Sequence, residues 1–145
     1  MGTGTQDGSV EFVIASDLTE ARRIQELIER QLQQSNFHDK EIFGIRLALE
    51  EAIVNAIKHG NQMDRDKQVR IAYRILPEQF DVMIVDEGPG FNPEDVPDPT
   101  SPENLERPCG RGLLLMRHYM SHIAYVGCGN TVVMSKSSSN SNGKL

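Results

Sequence analysis

The stretch VRIAYRILPEQFDVMIV, Val69 to Val85, holds two apolar runs separated by a turn. In the first run Val69, Ile71, Tyr73 and Ile75 alternate with Arg70, Ala72 and Arg74, the period of two that marks a strand with one buried face. Pro77, Glu78 and Gln79 then reverse the chain, and Phe80 to Val85 follows as a strand too apolar to meet water on both faces. The stretch therefore reads as a hairpin.

Outward from this hairpin, the N-terminal side is mostly helical. A polar leader, residues 1–8, is expected to be flexible, and Val10 to Ile14 reads as a short strand. Ser16 or Asp17 can cap the helix that follows, whose apolar stripe is Leu18, Ala21, Ile24, Leu27, Ile28 and Leu32. A second helix runs from about Asp39 to His59 with Ile42, Ile45, Leu49, Ala52, Ile53 and Ala56 on one face, and Gly60-Asn61 stop it. On the C-terminal side, Asp86 to Gly112 is a long Gly- and Pro-rich loop. Leu113 to Met120 resumes as a helix, and His122 to Val126 and Thr131 to Ser135 form a closing hairpin. The serine- and asparagine-rich tail, residues 137–145, is expected to be disordered, which leaves residues 9–136 as the folded domain. Strands and helices segregate instead of alternating as β-α-β units. The fold class is therefore α+β: a two-layer sandwich with a mixed, mostly antiparallel sheet and helices on one face.

The 145 residues fit one domain able to bury roughly two-thirds of its unfolded surface. Fifteen basic against twenty-one acidic residues give a net charge of −6, which opposes adhesion to nucleic acid or anionic membranes. Cys109 and Cys128 stand alone, without CxxC or zinc spacing, and suit a reducing compartment. No apolar run reaches the ~18 residues of a membrane span, and the start lacks the design of a secretory signal. The expected location is the cytoplasm.

Three constellations could carry chemistry. The first is Leu49 to Ala56, continuing to Lys58 and His59. At about 100° per residue Glu51 and Asn55 face the same way one turn apart, with His59 extending the stripe, whereas Glu50 points about 100° away from Glu51. An ordinary amphipathic helix with polar shoulders would look the same, although Asn is a poor mid-helix residue. Lys58 and His59 either assist phosphates or simply solvate a helix C-terminus, where cations are favoured. The second is Asp86-Glu87-Gly88-Pro89-Gly90-Phe91, at the end of an apolar strand. Its carboxylate can accept from an exocyclic amine while the glycines admit a flat ligand, or the segment is only a turn. The third is Gly110-Arg111-Gly112-Leu113-Leu114-Leu115-Met116, where glycines lead into a helix whose first amides can bind anions, or merely start it.

In this order and spacing the three resemble the N box and the two glycine boxes of the GHKL ATPases, whose ATP-binding domain is the Bergerat fold of histidine kinases, type II topoisomerases and mismatch-repair ATPases. The small size, the E-A-x-x-N-A form at Glu51 to Ala56 and the short GRGLLLM segment look like the anti-sigma-factor serine/threonine kinases within that superfamily. The resemblance covers about residues 10 to 136.

It implies roles residue by residue. Glu51 resembles the general base that takes the proton of a protein hydroxyl, and Asn55 the ligand of magnesium on the phosphates. Asp86 resembles the adenine-amine acceptor, with Gly88 and Gly90 shaping the base pocket. Gly110, Arg111 and Gly112 would lie along the phosphates, and Arg107 would neutralise γ-phosphate charge, although Pro108 and Cys109 separate it from the glycine box. Pro93, Pro97, Pro99, Pro102 and Pro108 stiffen the segment that would close over ATP. The implied activity is an ATP- and magnesium-dependent serine/threonine kinase that holds a sigma factor and phosphorylates a STAS-type antagonist, as a homodimer. Its rivals are an ATP-binding module that sequesters a partner without phosphoryl transfer and a detached histidine-kinase-type ATPase domain. The latter would need a histidine-bearing helix pair ahead of the ATP region.

Overall fold

The computed structural model describes residues 3–4, 9–88, 116–126 and 130–138. The elements are β1 (Thr3–Gly4), β2 (Val10–Ala15), α1 (Leu18–Gln33), α2 (Asp39–Asn55), a π-helical turn (Ala56–Gly60), β3 (Gln68–Ile75), β4 (Gln79–Val85), β5 (His122–Val126) and β6 (Thr131–Ser137). The six strands make one sheet in the order β1-β2-β3-β4-β6-β5. Every pairing is antiparallel, so the sheet is not mixed among the described residues. The α+β class holds.

Alternation decides the faces. Val69, Ile71 and Tyr73 of β3, Phe80, Val82 and Ile84 of β4, and Val132 and Met134 of β6 are buried. The register sets Ile71 beside Ile84 and Tyr73 beside Val82, and continues Ile84 to Val132 and Val82 to Met134. These side chains form one core with Ala21, Ile24, Ile28 and Leu32 of α1 and Ile42, Ile45, Leu49, Ala52 and Ile53 of α2. Burying each large apolar side chain contributes about 1.5–3 kcal/mol, more than any surface ion pair, so this layer holds helices to sheet. The opposite face carries the ion pairs Arg70–Glu11 at 2.9 Å and Arg74–Asp81 at 2.9 Å.

The ends of elements differ from expectation in instructive ways. Asp17 is the cap of α1, its Oδ1 accepting from Thr19 N at 2.7 Å, while Ser16 is buried and donates from Oγ to Lys67 O at 2.8 Å. Leu18, expected on the apolar stripe, is exposed. Thr3 and Gly4 of the leader pair with Glu11 and Val10. The last strand outruns its expected end at Ser135: it continues to Ser137, and Ser138 is buried with its N–H on Glu78 O at 2.9 Å.

The largest difference lies at the end of the second helix. It stops being α-helical at Asn55, and an i→i+5 turn covers Ala56–Gly60. Leu49, Ile53, Ile57 and Asn61 are all buried at a constant spacing of four. In an α-helix that spacing advances about 40° per step, so a wider turn is what keeps the last two inside. His59, four residues beyond Asn55, is exposed. No helix among the described residues is long and apolar enough to cross a membrane.

Candidate functional site

The π-helical turn delivers Gly60 to the end of β4, where Asp86 stands. A Cβ on Gly60 would lie 2.3 Å from Asp86 Cγ, and a Cβ on Gly88 would lie 1.9 Å from Gly60 O. Both positions must lack a side chain for the two segments to touch, which is a requirement of close approach and not of backbone conformation. The end of the helix that carries the first constellation thus meets the second, through Gly60, Asp86 and Gly88.

Asp86 is held by its backbone and by its own turn. Its N–H donates to Asn130 O at 3.0 Å and its carbonyl accepts from Asn130 Nδ2 at 3.1 Å, tying it to the start of β6. Its Oδ1 accepts from Gly88 N at 2.8 Å. Oδ2 has no hydrogen-bond partner among the described residues, so an acceptor remains for an incoming donor. Burial pushes the Asp86 carboxyl up from its ordinary range, against the Gly88 N–H and the charge of Lys67, which pull it down.

Glu51 and Asn55 sit half-buried on α2, one turn apart as expected. Neither side chain has a hydrogen-bond partner among the described residues. Burial raises the Glu51 carboxyl, the like charge of Glu50 raises it further, and the positive groups of His59 and Lys58 oppose both. A desolvated carboxylate of raised basicity is suited to taking a proton. Asn55 offers a neutral amide oxygen, a hard ligand of the type magnesium accepts.

Gly90, Arg107, Gly110, Arg111 and Gly112 lie outside the described residues, as does the expected closing segment from Phe91 to Cys109. The chain is described again at Met116, whose side chain is fully buried, and residues 116–119 are helical. The Tyr119 ring packs against Gly44 of α2 and edge-on to Phe43.

Sequence reading missed Asn61 and Asn130. Asn61 was read as helix punctuation, yet it is fully buried and its side chain makes three hydrogen bonds. An asparagine directly after a helix-ending glycine is so common a stop signal that its composition alone hides such a role. Asn130 falls in a turn, where asparagine is equally unremarkable.

A model of the histidine kinase-like ATPase domain matches residues 14–136. The chain is 32% identical over 134 residues to the anti-sigma F factor of Clostridium beijerinckii, covering 88% of the chain and 92% of that protein. It is 28% identical over 93 residues to the serine-protein kinase RsbW of Oceanobacillus iheyensis, covering 60% of the chain and 59% of that relative. With the RsbW of Listeria innocua the identity is 29% over 110 residues, 71% of the chain and 70% of the relative. The domain match spans β3, β4, the Asp86 turn and the whole of α2 together, so the chain belongs to the histidine kinase-like ATPase domain family.

Proposed function

We propose that the chain is an ATP-dependent serine/threonine protein kinase that also acts as an anti-sigma factor, phosphorylating an antagonist protein in a partner-switching pathway. The observation that carries the nucleotide part is the contact of Gly60, Asp86 and Gly88, with Asp86 Oδ2 unpaired among the described residues. Relatives named as serine-protein kinases and as an anti-sigma F factor support the rest.

The residues present fit ATP and magnesium. Asp86 Oδ2 would accept a hydrogen bond from the exocyclic amine of adenine, and the absence of side chains at Gly60 and Gly88 lets the helix end and the Asp86 turn close on each other to hold that carboxylate. Asn55 holds the metal through its amide oxygen. Glu51, kept basic by burial, takes the proton of the serine or threonine hydroxyl of the antagonist. ATP and magnesium, when bound, supply the phosphoryl group and the positive charge that offsets its oxygens. In this reading Arg107, Gly110, Arg111 and Gly112 act on the phosphates and Gly90 on the base. A sigma factor, a STAS-type antagonist and a second copy of the chain are the protein partners of the proposal, and the cytoplasm is its location.

The test is direct. Purified chain, labelled ATP and magnesium are incubated with a purified STAS-type antagonist, and phosphoserine or phosphothreonine on the antagonist is measured. Stoichiometric labelling is expected. Tight ATP binding with no label on any antagonist would favour a module that sequesters its partner without transfer.

A further inference from the structure

The buried amide of Asn61 joins three segments around the proposed nucleotide site at a single side chain. Its Nδ2 donates to Ser16 Oγ at 2.9 Å and to Gln68 O at 3.0 Å. Its Oδ1 accepts from Glu87 N at 2.8 Å. Ser16 lies between β2 and α1, Gln68 opens β3, and Glu87 is the centre of the Asp86-Glu87-Gly88 turn. Both donors and the acceptor are used, so the amide has one satisfied orientation; turned over, it would set its NH₂ against the Glu87 N–H.

Glu87 is pinned twice. Its N–H goes to Asn61, and its carboxylate accepts from Gln68 N, the residue whose carbonyl already takes an Asn61 proton. A closed ring of hydrogen bonds through Asn61, Gln68 and Glu87 fixes the middle of the turn. Asp86 and Gly88 flank that point, and Gly88 presses on the carbonyl of Gly60, the neighbour of Asn61. The backbone beyond Asn61 bears the cost of this placement: Gln62 and Met63 adopt left-handed φ values of 54° and 61°. Two consecutive non-glycine residues hold that conformation only where the surroundings over-determine it.

We propose that Asn61 is a positioning residue for base recognition: through Glu87 N–H it sets the direction of the Asp86 carboxylate and the height of Gly88 against Gly60. The inference rests on the reading of Asp86 as the base acceptor. Simple helix punctuation would need the side chain on helix-end carbonyls, whereas it spans from Ser16 to Glu87. Without the Asn61 acceptor the Glu87 amide is unsatisfied and the turn relaxes, so Asp86 loses its aim although it remains in place.

The experiment uses the full chain as wild type, Asn61→Ala, Asn61→Asp, Ser16→Ala and Asp86→Asn. Hydrogen exchange of the Glu87 amide is measured without ligand, and calorimetric affinities for ADP and GDP with magnesium give the base preference. Asn61→Ala should speed Glu87 exchange at least tenfold, weaken ADP about tenfold and reduce the ADP-over-GDP ratio. Asn61→Asp keeps the acceptor for Glu87 and should retain the ratio at lower stability, and it serves as the informative variant if the alanine protein does not fold. Ser16→Ala removes the bond to Lys67 O and one of the two partners of Asn61 Nδ2 but leaves Glu87 N–H on Asn61 Oδ1, so it should lose stability and keep the ratio. A folded Asn61→Ala protein with unaltered Glu87 exchange or a wild-type ADP-over-GDP ratio overturns the inference, as does loss of the ratio in Asn61→Asp. If Asp86→Asn binds ADP normally, the reading of Asp86 fails and the inference falls with it; if Asp86→Asn loses ADP while a folded Asn61→Ala keeps the ratio, the reading of Asp86 stands and the inference alone fails.

Discussion

The Asp86 turn and the Glu51–Asn55 step of α2 supply the two halves of the proposed site, and they are built in opposite ways. Around Asp86 the backbone is tied to Asn130, the carboxylate to Gly88, and the neighbouring Glu87 to Asn61 and Gln68. Glu51 and Asn55 have no side-chain hydrogen-bond partner among the described residues and owe their placement to the buried stripe of Ile45, Leu49, Ala52 and Ile53 beneath them. The turn is fixed by hydrogen bonds and the helix face by packing. Such a division suits a site in which one end must recognise a rigid base and the other must keep a carboxylate available for a proton. Burial raises both acids, but only Glu51 has a like charge, Glu50, pushing in the same direction.

The largest effect that would sharpen this contrast is on chemistry. Glu51→Gln should bind ADP with magnesium as wild type does, yet lose about a hundredfold to ten-thousandfold in phosphoryl transfer, since a general base acts in the transition state. Calorimetry beside a single-turnover assay checks it; full activity would remove Glu51 from the reaction. Next come the two glycines. Gly88→Ala drives a methyl into the carbonyl of Gly60, where backbone must move, and should cost about 1–3 kcal/mol of stability together with nucleotide binding. Gly60→Ala meets only the Asp86 side chain, which can swing aside, so denaturant melts should change less while ADP affinity still falls about tenfold. Equal loss of stability in both variants would blur the distinction.

A smaller effect concerns pH. Proton transfer needs ionised Glu51, so the rate should fall as pH drops through a midpoint above the ordinary glutamate range. Glu50→Gln removes the like charge and should move that limb to lower pH; an unmoved limb in the pH–rate profile would separate Glu50 from Glu51. The smallest effect lies on the far face of the sheet. Burial alone would raise Asp81, but hydrogen bonds from Gln79, Ser135 and Arg74 outweigh it and hold the carboxyl below its usual range. A depressed folded-state acid stabilises above its unfolded pKa, and the contribution is lost as pH falls through the folded value. Asp81→Ala should therefore cost about 1 kcal/mol at neutral pH, less in acid, with ADP affinity unchanged.

Much of this was legible in the chain. Alternation in Val69 to Val85 fixed both the central hairpin and its buried face, and the stripe Ala21, Ile24, Ile28 and Leu32 is buried as its spacing required. The Glu51–Asn55 step followed from helical geometry alone. What could not be read were places where tertiary packing overrules the local period. The π-helical turn arises because Ile57 and Asn61 must both enter the core, a condition set by the sheet and invisible in the run Ala56 to Asn61. Ser16 and Asp17 were equal candidates for the cap, and only the position of Lys67, brought close by strand pairing, assigns Ser16 elsewhere.

The most direct measurement is ADP affinity together with thermal stability in Asp86→Asn. Because burial raises the folded-state carboxyl, its ionisation opposes folding, an effect absent below the unfolded pKa and growing as pH rises through the folded one. Asparagine keeps Oδ1 for the Gly88 N–H and removes the charge. At pH 8 the variant should therefore melt no lower than wild type while binding ADP with magnesium about tenfold to a hundredfold more weakly, the loss of a hydrogen bond to a charged acceptor. A variant that melts normally and binds ADP as tightly as wild type would contradict the assignment of Asp86, and with it the site.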